Sequence, residues 1–142
     1  MNRVTSKLRI YAERLVAYET TRSGSSQSTS AAAFAVIERL SPHFGLLMGA
    51  AGFRALIVRA LMLANAEVAS LRDLRVAEDG SFEGLNKLEA RSNPEEIATA
   101  GIALLARVLG VLVTLIGENL TLQLLSNITD VEGPENQDGK KT

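Results

Sequence analysis

The sequence predicts an all-α protein, a helical bundle of four to five helices that includes a long apolar C-terminal helix. Hydrophobic residues make up 46% of the 142 residues, but only six residues are aromatic. Leu, Ala, Val and Ile must therefore fill most of the core, and this composition favours packed helices over sheets. Apolar residues also recur at three- and four-residue spacing along much of the chain, which is the period of an amphipathic helix. A chain of this length has room for one domain with a sizeable core.

A narrow apolar seam predicts an amphipathic helix over residues 1–19. The seam consists of Val4, Leu8, Tyr11, Leu15 and Tyr18. Because so narrow a seam has to dock on something, we expect this helix to fold back on its own bundle; the alternative is an arm that seeks another protein. Residues 20–30 contain no apolar side chain and are rich in Ser and Thr. They predict a flexible linker to a bundle core over 31–129.

Two helices are predicted in the first half of this core. Ser30 is a suitable N-cap for a helix over 31–40, and Ser41–Pro42 predicts that this helix stops or kinks there. The following stretch, with three glycines between residues 45 and 52, indicates a bend and close packing. From Phe53 to Leu71 the apolar residues again share one helical face, and we expect this helix to lie antiparallel to the last one.

A turn and two helix starts are predicted in the next segment. Asp79–Gly80 suits a tight turn with positive φ, so residues 76–82 are expected to form a turn or a miniature hairpin. Leu85 and Leu88 indicate a short helix. The run from Asn93 to Glu96 combines an N-cap, a first-turn proline and two early carboxylates, and it predicts the start of the long helix.

A stripe of small residues marks the long apolar helix, which we predict to continue from Ile97 to Ile128. At about 100° per residue the small side chains share one narrow face, on which another helix can approach closely. With two flanking charges, the predicted interface comprises Thr99, Ala103, Ala106, Arg107, Gly110, Thr114, Gly117, Glu118 and Thr121. The polar residues 130–142 are predicted to form a disordered tail.

Arg107 and Glu118 indicate how the stripe is used. They are 11 residues apart, about three helical turns, so on one helix they share a direction but lie too far apart to pair with each other. In an antiparallel homodimer each Arg107 would face the Glu118 of the other copy. Alternatively, the stripe receives another helix of the same chain, with Arg54 or Arg59 meeting Glu118.

Charges interrupt the apolar segments, and this argues against a membrane-spanning hairpin. Arg107 divides the last segment, while Arg54 and Arg59 divide the earlier one. No uncharged apolar run reaches the roughly 18 residues that a spanning helix needs. Placing an Arg at the bilayer centre is also costly. We therefore predict a soluble, cytoplasmic bundle, with a membrane-associated helical hairpin as the alternative.

Composition and spacing indicate no catalytic, metal or cofactor site. A formal net charge of −1 provides no general attraction for nucleic acid. Cysteine is absent, and His43 has no carboxylate at metal-ligand spacing beside it, so we predict no metal and no cofactor. The sequence instead predicts a non-enzymatic module for protein–protein interaction, a small adaptor or regulatory subunit that self-associates as a homodimer.

A third function class stays open on the sequence alone. A pocket between helices could bind a small molecule, with polar groups from Arg59, Glu67, Arg107 and Glu118. Such a protein would carry its ligand through purification, whereas a dry and fully packed core would argue against it.

Overall fold

The computed structural model describes the backbone of residues 3–23 and 31–129, with side chains from Ser6 to Thr21 and throughout the second range. Within these ranges the chain forms six α-helices, one 3-10 helix over Ala69–Asp73 and two short strands, β1 (Arg75–Val76) and β2 (Phe82–Glu83). The helices are α1 (Arg3–Ser23), α2 (Ala32–Met48), α3 (Ala50–Glu67), α4 (Leu85–Arg91), α5 (Pro94–Ile116) and α6 (Glu118–Thr129). The predicted all-α bundle with a long apolar helix is confirmed, and its helices exceed the predicted number by one.

Helix α5 lies at the centre of the bundle and contacts α1, α2, α3 and α6. Its buried side chains are distributed around most of its circumference, which is the pattern of a helix enclosed by other helices. Beside it, the rings of Phe44 and Phe53 stack at 5.6 Å and tie α2 to α3. The end of α3 lies beside the start of α5, because Glu67, Glu95 and Thr99 line one depression, and Glu67 also pairs with Arg107 further along α5. These two helices therefore run antiparallel, as the sequence predicts.

Helix α1 docks on the bundle through the predicted seam. Leu8, Tyr11 and Leu15 are buried, with 4%, 0% and 1% of their surface exposed, and Tyr18 is half-buried. The side chain of Val4 lies outside the described residues. The helix also continues to Ser23, so the first four residues of the predicted linker are helical; residues 24–30, 130–142 and the predicted N-cap Ser30 lie outside the described part.

The helix end predicted as one outcome at Ser41–Pro42 is wrong, because α2 continues through both residues to Met48. A proline inside a helix removes one hydrogen bond and costs about 3 kcal/mol. Here the residues on either side of it, Leu40 and Phe44, are completely buried, while Pro42 itself is exposed. Burial of the two flanking side chains offsets the local cost, since a fully buried side chain of this size contributes about 1.5 to 3 kcal/mol.

A single long helix from Ile97 to Ile128 is likewise wrong, because α5 ends at Ile116 and α6 begins at Glu118. Gly117 separates them with φ 93° and ψ 155°. Gly49 separates α2 from α3 in nearly the same conformation, with φ 86° and ψ 147°. That region of backbone space is open essentially to glycine alone. Each of these two glycine corners therefore ends one helix and starts the next with a single residue.

Two further local predictions are confirmed. At the start of α5, the side chain of Asn93 accepts a hydrogen bond from the backbone of Glu96 at 2.8 Å, and the Glu96 side chain accepts one from the backbone of Asn93 at 3.1 Å. The predicted miniature hairpin is present, with Val76 paired to Phe82 across two antiparallel strands. Arg54 of α3 holds it in place by donating to the carbonyls of Val76 and Ala77, both at 2.9 Å.

Among the described helices, α5 has the length and composition to cross a membrane, with a mean hydropathy of 2.2. Half of that stretch is buried inside the bundle. A core helix of a soluble protein passes the same test, so this observation is weak evidence for a membrane.

Candidate interaction surfaces

The predicted interface stripe does not form one continuous surface. The stripe is divided between α5, which ends at Ile116, and α6, and its residues lie in different surroundings. Ala103 and Thr121 are buried in the core, and Ala106 is half-buried. Thr99 lies on a polar face, in a depression of about 640 Å³ that Glu67 and Glu95 also line. The remaining members lie at the second glycine corner or in a groove beside α3.

The charged pair of the stripe is engaged within the chain. Glu118 accepts from the ammonium of Lys7 on α1 at 2.8 Å, and Arg107 donates to Glu67 on α3 at 3.0 Å. The predicted partners of Glu118 are therefore wrong for this chain: Arg54 bonds to the hairpin, and Lys7 takes the place expected for Arg54 or Arg59. The reciprocal pairing expected in a homodimer also requires Arg107 and Glu118 to lie on one straight helix, and Gly117 interrupts it.

A groove of about 700 Å³ runs between α3 and α5, and Leu8 of α1 also lines it. Small residues of both helices line it, and so do larger apolar side chains. The small residues are Gly52, Ala55 and Gly110, and the larger ones include Leu8, Leu56, Leu63, Val111 and Leu115. We call this feature the α3–α5 groove. Of the predicted interface residues, it contains Arg107, Gly110 and Thr114.

The charged side chains that line the α3–α5 groove in the described structure are both arginines, Arg59 and Arg107. Arg107 is partly exposed, and one of its terminal nitrogens meets Glu67 just outside the lining. Arg59 is exposed and makes no ion pair or hydrogen bond with any described residue. Of the four residues of the predicted small-molecule pocket, Arg59 and Arg107 line one groove and Glu67 pairs with Arg107, whereas Glu118 lies elsewhere, against Lys7.

A second surface lies at the end of the bundle that contains both glycine corners. Because α3 and α5 run antiparallel, Gly49 and Gly117 lie at the same end of the bundle, and Gly52 and Leu115 both line the α3–α5 groove there. Four of the seven large hydrophobic side chains that the described structure leaves exposed lie at these corners. They are Leu46 at 90% exposure, Leu47 at 62%, Leu115 at 61% and Leu120 at 45%. We call this surface the apolar end.

The sequence analysis does not predict the apolar end, although two features of the sequence are associated with it. Residues 44–53 and 108–117 contain no charged side chain. The first segment has Gly49 near its centre, and the second ends at Gly117. If the helix is assumed to continue through Gly117, Leu115 is expected to belong to a buried helical face. The exposed leucines become visible only when both corners are placed at one end.

The described residues contain no group of three or more His, Asp or Glu side chains that could hold a metal ion. His43 is exposed on α2, away from the α3–α5 groove lining. Comparison of the chain with known protein families, with curated proteins and with solved structures gave no match. The surfaces of the molecule must therefore indicate its function.

Proposed function

We propose that this protein is a non-enzymatic helical module for protein–protein interaction that self-associates through the apolar end. The observation that carries this proposal is the exposure of Leu46, Leu47, Leu115 and Leu120 together at one end of the bundle. Large apolar side chains that are left exposed at one end of a small protein typically mark an interaction site, since water is excluded from them when a partner binds.

A second copy of the chain fits the apolar end because the surface is complementary to itself. The corner segments 44–53 and 108–117 carry no charge, and the nearest carboxylate along the chain, Glu118, is neutralised by Lys7 at 2.8 Å. A two-fold contact brings the same patch of both copies together. Leucine then faces leucine, and the two corner segments themselves bring no like charges together.

The α3–α5 groove does not favour the same kind of contact. A two-fold contact centred there would bring Arg59 and Arg107 of one copy towards Arg59 and Arg107 of the other. Juxtaposed like charges oppose association unless counter-charges intervene. The homodimer that the small-residue stripe predicted on α5 is therefore reassigned, as a proposal, to the apolar end.

The test is the molar mass in solution, measured by light scattering after size exclusion over a range of micromolar concentrations. We expect the wild-type chain to be dimeric and the double variant L46E/L115E to be monomeric. Met62→Glu is the matched control, because Met62 is 69% exposed on α3 but lies outside the apolar end, and this variant should remain dimeric. Thermal unfolding of all three proteins verifies that they are folded. A monomeric wild-type chain at the highest concentration contradicts the proposal.

A second candidate function is membrane association, which the apolar composition of α5 and the exposed leucines favour. The test is flotation of the purified wild-type chain with vesicles of neutral and anionic phospholipid. Self-association predicts that the protein stays in the aqueous fraction. Flotation that is lost in L46E/L115E but kept in Met62→Glu would support lipid as the occupant of the apolar end and would contradict self-association there.

A further inference from the structure

The α3–α5 groove combines a long apolar lining with positive charge. Its volume of about 700 Å³ lies within the range of about 300 to 1,000 Å³ that is usual for small-molecule sites. Leu8, Leu56 and Val111 give it apolar surface from three different helices. Gly52 and Gly110 contribute no side-chain bulk, which leaves the space between the helices open.

Arg59 and Arg107 give the groove a polar anchor. A guanidinium carries five N–H donors, and the Arg107 contact with Glu67 uses one terminal nitrogen. Arg59 has no partner among the described residues, so all its donors are free for a ligand. Planar guanidinium groups bind carboxylates with two parallel hydrogen bonds, and a carboxylate has lone pairs enough for both arginines.

The position of the anchor defines what the rest of the ligand must be. Arg59 lies seven residues after Gly52 on α3, so about 10 Å of groove separates the arginine from the apolar end. Apart from Arg59, Arg107 and Thr114, the residues that line the groove are glycine or apolar, among them Leu8, Ala55, Leu56, Gly110, Val111 and Leu115. A flexible hydrocarbon chain attached to one anionic group matches this arrangement.

We infer that the α3–α5 groove binds a medium-chain carboxylate, with the carboxylate between Arg59 and Arg107 and the hydrocarbon chain directed towards Gly52 and Leu115. The competing occupant is an acidic amphipathic helix of a partner protein. An acidic helix would place one face in the groove and present several carboxylates along its length. The cations of the described groove lining are Arg59 and Arg107, which suits a ligand with one anionic group. Leu115 belongs to both surfaces, but the proposed anchor Arg59 lies outside the apolar end, so separate measurements test the two proposals.

The test is isothermal titration of the wild-type chain with decanoate, kept below its micelle concentration. Decanol, which lacks the charge, and acetate, which lacks the chain, are the ligand controls. We expect saturable binding of decanoate near one equivalent per chain, weaker binding of decanol by about tenfold or more, and no measurable binding of acetate.

Variants then locate the site. R59Q should weaken decanoate binding by about tenfold or more, while leaving the affinity for decanol unchanged. Arg72→Gln is the matched control, because Arg72 is exposed and lies outside the α3–α5 groove, and it should bind decanoate like the wild type. Circular dichroism verifies the fold of both variants.

Three results would overturn the inference. Decanoate fails to bind, or decanol binds as tightly as decanoate, or R59Q and Arg72→Gln bind decanoate equally well. Saturable binding of an acidic amphipathic model peptide to a chain that does not bind decanoate would assign the groove to a helix instead. The molar-mass measurement is separate, so failure here leaves self-association intact.

Discussion

Two buried threonines of α6 differ in how their hydroxyl groups are satisfied. Thr121 is fully buried, and its hydroxyl has no hydrogen-bond partner among the described residues. Thr129 is also buried, and its hydroxyl donates to the carbonyl of Leu125 at 2.7 Å. A buried polar group without a partner costs about 1 to 3 kcal/mol, because its hydrogen bonds to water are lost without replacement.

We therefore predict that Thr121→Val raises the free energy of unfolding by about 1 kcal/mol, since valine keeps the shape and removes the unsatisfied hydroxyl. Thr129→Val is the matched control and should lower it by about 0.5 to 1.5 kcal/mol, because a made hydrogen bond is lost. Valine and threonine have similar helix propensities, so the difference reports the hydroxyl groups. Urea denaturation measures both values, and shifts of the two variants in the same direction would contradict this account.

Asp79 at the tip of the hairpin is predicted to titrate abnormally. The hydroxyl of Ser81 donates to its carboxylate at 2.7 Å and the backbone N–H of Ser81 donates at 3.0 Å. These bonds favour the ionised form and hold the pKa of Asp79 below its ordinary value. The turn is therefore supported at all pH values above the ordinary pKa of about 3.9, and this support is lost as the pH falls through the lower pKa of the folded state.

The measurement is a carboxyl NMR titration of the wild-type chain and of Ser81→Ala. We expect the pKa of Asp79 to rise towards its ordinary value when the Ser81 hydroxyl is removed, because that hydroxyl is the largest cause of the shift. The backbone N–H of residue 81 remains, so the return should be incomplete. An Asp79 that titrates at or above its ordinary value in the wild type would show that these bonds are not made in solution.

Single residues could be predicted from the sequence where their partners are close along the chain. The capping box joins Asn93 to Glu96, three residues away, and the turn at Asp79–Gly80 is equally local. The partner of Glu118 could not be predicted in this way, because Lys7 lies 111 residues away in sequence. Which cation reaches Glu118 depends on how α1 docks, and nothing local to Glu118 encodes that.

At the scale of elements, the predicted helix boundaries are wrong where backbone geometry or burial outweighs the local sequence pattern. Pro42 is an expected stop, yet α2 passes through it because Leu40 and Phe44 are buried on either side. Gly117 is an expected member of a packing stripe, yet it is a corner with positive φ. A glycine spaced at helical intervals has the same sequence signature in both roles, so spacing alone cannot separate them.

We predict that alanine at either glycine corner lowers the free energy of unfolding by about 1 to 3 kcal/mol. Nothing lies within 4 Å of a Cβ atom built on Gly49 or Gly117, so the cost in Gly49→Ala and Gly117→Ala is backbone strain and not crowding. Gly110→Ala is the matched control, because Gly110 lies inside α5 and its added Cβ would meet Leu8 Cδ1 at an ordinary 3.8 Å. It should raise the free energy of unfolding by about 0.5 to 1 kcal/mol.

Urea denaturation of the three variants separates these effects. The decisive comparison is Gly117→Ala with Gly110→Ala, since both replace a glycine of the same predicted stripe. A stability gain in Gly117→Ala equal to that in Gly110→Ala would mean that α5 and α6 join into the continuous helix that the sequence alone predicts. The apolar end would then have no second corner, and its proposed role in self-association would lose its basis.

At the scale of the whole molecule, the burial of α1 favours the interpretation in which the N-terminal seam docks on its own bundle. Leu8 from α1 lines the α3–α5 groove, and Lys7 holds the start of α6. The helix therefore helps to form the groove and is tied to the start of α6. The sequence predicts its apolar seam well, because the spacing is regular, but it cannot say which surface receives the seam.

We predict that α1 unfolds together with the rest of the bundle. The two tyrosines of the chain, Tyr11 and Tyr18, both lie on α1, and the chain contains no tryptophan. Tyrosine fluorescence therefore reports the docking of α1, while far-ultraviolet circular dichroism reports all the helices. In a single cooperative transition the two signals have the same urea midpoint.

Leu15→Ala should lower both midpoints together, with a loss of about 2 to 5 kcal/mol in the free energy of unfolding. The reason is that Leu15 is only 1% exposed, so its truncation leaves a cavity between α1 and the core. Glu13→Ala is the control on the exposed face of the same helix and should change the value by less than about 0.5 kcal/mol. A tyrosine signal that falls at lower urea than the circular dichroism, in the wild type or in Leu15→Ala, would instead identify α1 as a separable arm available to another protein.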